Sequence, residues 1–301
     1  MDFITSHLGE LSALVTAASW TATSMAFESD NKKVGSLSVN LIRLVMALVL
    51  LGIFTSITRG HFFPFEAGSH AWLWLSLSGF VGFVIGDLLL FQAFVVVGAR
   101  VSMLIMSLTP PLTALFGLLI LGERMTLINI MGMMLTISGI ALVILGRPVK
   151  GKRFSINFPL SGLFLALGGA AGQALGLVLS KLGMGDLNAF MSTQIRVIAG
   201  IVGFSLVFFI IRRWGNVWKA VQNKQAMSRI SIGAFFGPFL GVSFSLLAVK
   251  YTTTGIASTL MALTPVMIIL PARYIFKEKI TTKEVIGAFI AVAGVVVFFV
   301  F

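Results

Sequence analysis

Two stretches of the sequence repeat one irregular phrase, LTPPLTALFGLLILGERMT over 108–126 and LTPVMIILPARYIFKEKIT over 263–281. Each stretch carries a proline, Pro110 or Pro265, inside an apolar run. A proline within a helix removes one backbone donor and crowds the carbonyl four residues earlier, which lipid cannot compensate. Because a proline within an apolar run is costly and occurs twice in the same sequence context, we infer an internal duplication.

The composition indicates a membrane protein. Of the 301 residues, 57% are hydrophobic and 11% are charged, and the mean hydropathy is +1.02, which exceeds what one globular core could bury. Apolar runs of about 20 residues recur, each long enough to cross a hydrocarbon layer of about 30 Å. The ten predicted spans are 8–28, 36–57, 71–97, 100–121, 127–146, 159–181, 188–211, 230–250, 254–276 and 282–301.

The duplication covers the whole chain. A shift of 155 residues aligns Pro110 with Pro265 and Glu123 with Glu278, and a shift of 153 aligns Arg43 with Arg196. Each copy contains five spans, so the second must enter the membrane from the opposite face, as in many secondary transporters. The predicted fold is all-α, with ten transmembrane helices in two inverted five-helix repeats. The predicted units are 1–147 and 159–301, joined by a basic linker over 148–158.

The order of these motifs resembles a known family. The stretches SLTPPLTALFGLLILGERMT and GMMLTISGIALVILG, repeated as ALTPVMIILPARYIFKEKIT and GAFIAVAGVVVFFV, are similar to the EamA-type ten-helix permeases of the drug/metabolite transporter superfamily. The resemblance implies two inverted five-helix units and the export of small metabolites such as amino acids. The implied location is a cell membrane, the inner membrane in bacteria.

The basic residues predict an orientation. The net charge is +12, but the Lys and Arg residues lie mostly in short connections, so anionic lipid is a better partner for them than nucleic acid. The odd-numbered connections hold fifteen of these residues and the even-numbered ones four. By the positive-inside rule both termini lie outside the cytoplasm, against the orientation usual for the resembled family.

Asp87 is the main candidate site residue. It lies as far before the turn at residues 98–100 as Pro111 lies after it, which places it near the membrane midplane. A carboxylate at that depth marks a functional site by default and could bind protons or cargo. Its repeat counterpart is Val242, so a scaffold role is not required by symmetry. A protonated or hydrogen-bonded structural Asp is the alternative.

Other side chains near the midplane could shape a pocket for a small amphipathic substrate. Trp20 and Gln173 are repeat counterparts in spans one and six, and we expect Gln92, Met103 and Met106 nearby. Packing inside the bundle is the alternative for each.

The prolines and arginines have two interpretations each. Pro110 and Pro265 are either hinges that expose ligand-facing carbonyls or tolerated kinks filled by neighbouring hydroxyls. Arg43 and Arg196 are possible anion contacts. We expect them to be structural, because inversion should place them on opposite sides, where they could not share one small substrate. Glu123 and Glu278 lie beyond the hydrocarbon and are expected to anchor helix turns.

The sequence does not support catalysis. It has no cysteine and no GxxxxGK[ST] phosphate loop, its three histidines show no metal spacing, and Asp87 lacks a partner nucleophile or acid cluster. No cofactor, metal or catalytic residue is therefore predicted. The prediction is a metabolite exporter that works by alternating access. A lipid or lipid-carrier flippase is the alternative, and an intramembrane enzyme or a non-transporting assembly subunit is less favoured.

Overall fold

The computed structural model describes residues 2–27, 35–146, 159–275 and 280–300, and the predicted linker lies outside them. Ten long helices occupy the predicted spans, and nine of those described are long and apolar enough to cross a membrane. They are α1 Leu8–Phe27, α2 Ser36–Arg59, α3 Ser69–Val96, α4 Val101–Leu121, α5 Leu127–Gly146, α6 Leu160–Met184, α7 Ala189–Ile211, α8 Lys224–Tyr251, α9 Thr254–Ile275 and α10 Thr282–Val300. Short helices cover Asp2–Ser6 and, between α7 and α8, Trp214–Gln222.

Helix α1 is the most polar of the ten, because it carries Glu10 and six Ser or Thr residues. Four of these hydroxyls, including that of Ser24, donate to backbone carbonyls within the helix. Thr16, Thr21 and Thr23 each donate to the carbonyl oxygen four residues earlier, at 3.0, 2.8 and 3.0 Å. Internal satisfaction of this kind permits a polar helix inside a membrane bundle.

The helices pack as a pseudo-two-fold pair of units. Helix α1 packs against α8, and its counterpart α6 packs against α3. The helices α2 with α7, α4 with α9 and α5 with α10 pair with their own counterparts. This reciprocal pattern is that of a two-fold interface. With five helices per unit, the second unit runs inverted, which confirms the predicted fold class.

Two wider helical segments repeat with the same register. A π-helical segment covers Phe80–Gly86 in α3, and another covers Phe235–Gly241 in α8. Their positions differ by the 155-residue repeat shift. Such segments widen the helix by one residue per turn and often occur at functional sites. Asp87 and Val242 directly follow them.

The prolines start new helical segments. In α4 one segment ends at Met106 and the next, Thr109–Phe116, begins with Pro110 in its first turn. In α9 the segment Thr264–Met267 begins in the same way. A proline in the first turn gives up a donor that has no helical acceptor. The Thr264 hydroxyl donates to the Met261 carbonyl at 3.3 Å, which matches the tolerated-kink alternative in the second unit, and the hinge role remains a prediction.

Glu123 joins the two units at the end of the bundle that holds the even-numbered connections. Its Oε1 lies 2.6 Å from Lys181 Nζ at the end of α6. Its Oε2 accepts hydrogen bonds from the Thr254 backbone N–H and hydroxyl at 2.8 and 2.7 Å, where α9 begins. This confirms its predicted role as an anchor at a helix turn. Glu278 lies outside the described residues.

Candidate functional site

Three of the predicted site residues meet at the centre of the bundle. Asp87 is 7% exposed, and its Oδ2 accepts a hydrogen bond from Arg43 Nη2 at 3.0 Å. Its Oδ1 accepts one from Gln173 Nε2 at 2.9 Å, and the same nitrogen lies 3.2 Å from the Gly82 carbonyl oxygen, to which it also donates. Asp87, Arg43 and Gln173, the central cluster, come from α3, α2 and α6. The cluster therefore spans both units.

Close packing of α3 and α6 makes these contacts possible. A Cβ placed on Gly172 would lie 2.9 Å from the Gly86 Cα, and one on Gly176 would lie 2.9 Å from the Gly82 Cα. Only glycines allow two helices to approach this closely. None of these four glycines was predicted to belong to the site. The signal was present as a Gly-x-x-x-Gly spacing in both helices.

The symmetry-related position holds apolar groups. Trp20 occupies the place of Gln173, and its Nε1 would lie 2.7 Å from a Cβ on Gly241, the counterpart of Gly86. Val242 stands where Asp87 would be. The backbone arrangement is thus repeated on both sides of the pseudo-two-fold axis, whereas the polar chemistry is confined to one side.

Arg196, on α7, contacts α3 at Phe83, one helical turn before Asp87. It is 4% exposed, and its guanidinium carbon lies 4.8 Å from the centroid of the Phe83 ring, a cation–π contact. The expectation that inversion separates Arg43 and Arg196 is wrong, because both contact the Phe83–Asp87 turn. Helices α2 and α7 pack against each other. The Cα atom of each arginine lies about 10 Å along its helix from the N-terminal end. The long side chains then extend toward the centre of the bundle.

The other predicted substrate residues are not in the central cluster. Gln92 is exposed on α3 and forms none of the cluster's hydrogen bonds, contrary to its predicted place in a shared pocket. Met103 is 38% exposed, and Met106 is half-buried on α4. Gln92 is exposed because a different face of α3, the one that contains Gly86 and Ala93, packs against the neighbouring helices.

Two cavities among the described residues lie away from the central cluster. One holds about 10 Å³ beside Arg59 and His61, and the other is an open apolar groove of about 350 Å³ beside Ile201 and Phe209. Neither is lined by a predicted substrate residue. In this conformation Asp87 bonds to Arg43 and Gln173, whereas Arg43 Nε and Arg196 Nε have no hydrogen-bond partner among the described residues.

Ten long helices in two inverted units, with ionisable groups buried between them, define a multi-pass membrane protein of the inverted-repeat kind. The family model for the EamA-like transporter family matches residues 7–145 and again residues 160–300. The chain therefore belongs to the EamA-like transporter family. A solved structure described as "Crystal structure of protein" is 17% identical, with a TM-score of 0.75 over 96% of this chain and 95% of the other, which shows a shared fold. The search among curated proteins finds no match.

Proposed function

We propose that this transporter exports small amphipathic metabolites, amino acids foremost, by alternating access. The observation that carries the proposal is the buried cluster of Asp87, Arg43 and Gln173, which is built from both units. Ionisable groups at membrane depth are costly, and in transporters they mark substrate or ion pathways. In inverted-repeat transporters the substrate site lies between the two repeats.

The asymmetry of the cluster supports a role in handling cargo. The second unit carries Val242 at the position of Asp87, so the repeated scaffold does not require this carboxylate, which favours a role in handling cargo or protons. In the proposed cycle Asp87 supplies a charge or a proton site. Gln173 and Trp20 line the two symmetry-related sides of the substrate path. Pro110 and Pro265 provide the flexible points of α4 and α9.

Contacts at the end of the bundle support alternation between two closed ends. Glu123 in the first unit binds Lys181 and Thr254 in the second. Rocking of the units about the centre would break these bonds and open that end. With the orientation proposed below, these contacts close the outer end of the pathway.

We propose a bacterial inner-membrane location with both termini outside the cytoplasm. The proposal rests on the excess of basic residues in the odd-numbered connections, fifteen against four. The helix Trp214–Gln222 lies in one of these connections. It exposes Trp214 and Trp218 beside Lys219, as expected for a segment at an anionic lipid surface.

Metabolite profiling of the culture medium tests the function. Cells that overproduce the wild-type protein should accumulate specific amino acids or related compounds outside, and cells with Asp87→Asn should not. Asp186→Asn is the matched control, because Asp186 lies in an exposed connection outside the cluster. Equal export by wild type and Asp87→Asn would contradict the role of Asp87.

Reconstitution separates export from lipid flipping. Vesicles that contain the wild-type protein should exchange radiolabelled amino acids across the bilayer. Movement of a labelled lipid without exchange of any amino acid would favour the flippase alternative.

A further inference from the structure

The charges buried at the centre of the bundle do not balance. Arg43 and Arg196 carry two positive charges, and Asp87 carries one negative charge. Within the described residues, Arg43 forms an ion pair with Asp87, and Arg196 forms none. The Phe83 ring offers Arg196 a partial substitute through its π face. A buried cation without an anion is unfavourable, so the centre lacks one negative charge.

Both arginines also have unused donors. Arg196 Nε is buried, and no hydrogen-bond partner for it occurs in the part of the chain that the structure describes. The same holds for Arg43 Nε, although Arg43 Nη2 is bound to Asp87. The Nε and a neighbouring Nη of a guanidinium form a planar fork that matches the two oxygens of a carboxylate. Buried polar groups normally have partners, and these two donors are available to an anionic group that enters between the helices.

We propose that Arg196, assisted by Arg43, binds a carboxylate group of the cargo, so that the transported class is organic anions or zwitterions with one carboxylate. This inference rests on the proposed function and specifies its substrate class. The carboxylate supplies the one anion that Arg196 lacks, and the ammonium group of a zwitterion would need a separate acceptor. A phosphate monoester, which carries close to two negative charges at neutral pH, would overcompensate. The Trp20 side then offers an apolar surface to the remainder of the molecule.

Arg196 is assigned here as a binding residue. Lysine would keep the charge but lose the planar fork, so Arg196→Lys should bind carboxylates more weakly than wild type and more strongly than Arg196→Gln. A purely structural Arg196 would give no such order of affinities.

Ligand-induced stabilisation of the purified protein in detergent tests the inference. The probes are acetate, butyrate and phenylacetate, each compared with its own carboxamide, and phenethylamine as the cationic analogue. For the wild type, we expect at least one acid to raise the unfolding temperature in a saturable manner, while its amide and the amine do not. Arg196→Gln should weaken that binding by about 10- to 100-fold, the loss expected for charge-assisted hydrogen bonds.

Arg59→Gln is the matched control and should bind like the wild type. Arg59 forms an ion pair with Glu66, but the two side chains are 39% and 54% exposed and lie outside the central cluster. If Arg196→Gln does not fold, the comparison of acids with amides on the wild type and on Arg196→Lys still decides. The inference is overturned if no acid binds better than its amide, or if Arg196→Gln binds the acid as the wild type does.

The outcomes separate this inference from the proposed function. Acid-selective binding by a protein that exchanges no solute in vesicles would refute transport and keep the carboxylate site. Vesicle transport of amines that no carboxylate inhibits would support transport and refute the carboxylate site.

Discussion

Breaking the buried ion pair should cost much more stability than breaking an exposed one. Arg43 Nη2 lies 3.0 Å from Asp87 Oδ2, and the side chains are 22% and 10% exposed. Removing one partner of a buried pair costs about 3–5 kcal/mol, because the other charge is left without compensation. For Asp87→Asn we expect about 3 kcal/mol, the lower end of that range, since the amide oxygen can still accept the bond from Gln173. Arg43→Gln should cost about as much.

The double variant Asp87→Asn/Arg43→Gln is the informative species. It removes both charges and leaves two amides that can hydrogen-bond to each other, so it should be more stable than the sum of the single losses predicts. We expect a coupling free energy of about 2 kcal/mol. Equilibrium unfolding in mixed detergent micelles would measure it. The control cycle is Arg59→Gln with Glu66→Gln, where an exposed pair at 3.2 Å should show coupling below about 0.5 kcal/mol.

Two results would refute this reasoning. Coupling at Asp87 no larger than at the control pair would mean that the centre is solvated and that the ion pair is only incidental. Single losses below about 1 kcal/mol would point to the same conclusion, since a burial penalty on the remaining charge is the source of the effect.

Three further changes test other parts of the structure. Glu123→Gln should lower the unfolding free energy by about 1–3 kcal/mol, because Lys181 loses its anion and keeps only its bond to the Thr252 carbonyl. A change within error would contradict the anchoring role of Glu123. Gly139→Ala should destabilise the protein by about 1–3 kcal/mol, because the added Cβ would overlap the α10 backbone. Gly68→Ala is the control and should be neutral, because the space around Gly68 is open. Thermal unfolding in detergent would measure both. The chain has no cysteine, so Ser69→Cys should react with an impermeant maleimide on intact cells and Asn216→Cys only after permeabilisation. The reverse pattern would invert the proposed orientation.

The sequence predicts the helices well where hydropathy alone determines them. The predicted span 36–57 corresponds to α2, Ser36–Arg59, and 71–97 corresponds to α3, Ser69–Val96. The prediction is incomplete between α7 and α8. There the helix Trp214–Gln222 was not predicted, and α8 begins at Lys224 instead of residue 230. Residues 214–222 contain one charged residue, Lys219, and residues 224–229 contain two, Lys224 and Arg229. Polar residues interrupt both segments, so a search for long apolar runs does not include them.

The candidate site was predicted in part. Counting residues from the turn predicted that Asp87 lies near the midplane, and the repeat alignment identified Gln173 as a site candidate. In the structure Gln173 donates a hydrogen bond to Asp87. Counting residues measures the depth of Cα atoms, however, and misplaces long side chains in tilted helices. This is why the convergence of Arg43 and Arg196 was missed. The π-helical segments also escaped prediction, because their glycines look the same as glycines that only allow close packing.

The symmetry of the fold gives the one-sided chemistry its importance. Two inverted units of identical sequence would have two conformations of equal free energy, open to opposite sides of the membrane. Differences between the copies are therefore what bias that equilibrium and make the two states bind a ligand differently. The first unit has Asp87 where the second has Val242, and this is such a difference at the centre. Asp87 neutralises Arg43, whereas Val242 provides no anion for Arg196. A bound carboxylate would restore the missing charge, so cargo binding and the conformational equilibrium would be linked through the same two arginines.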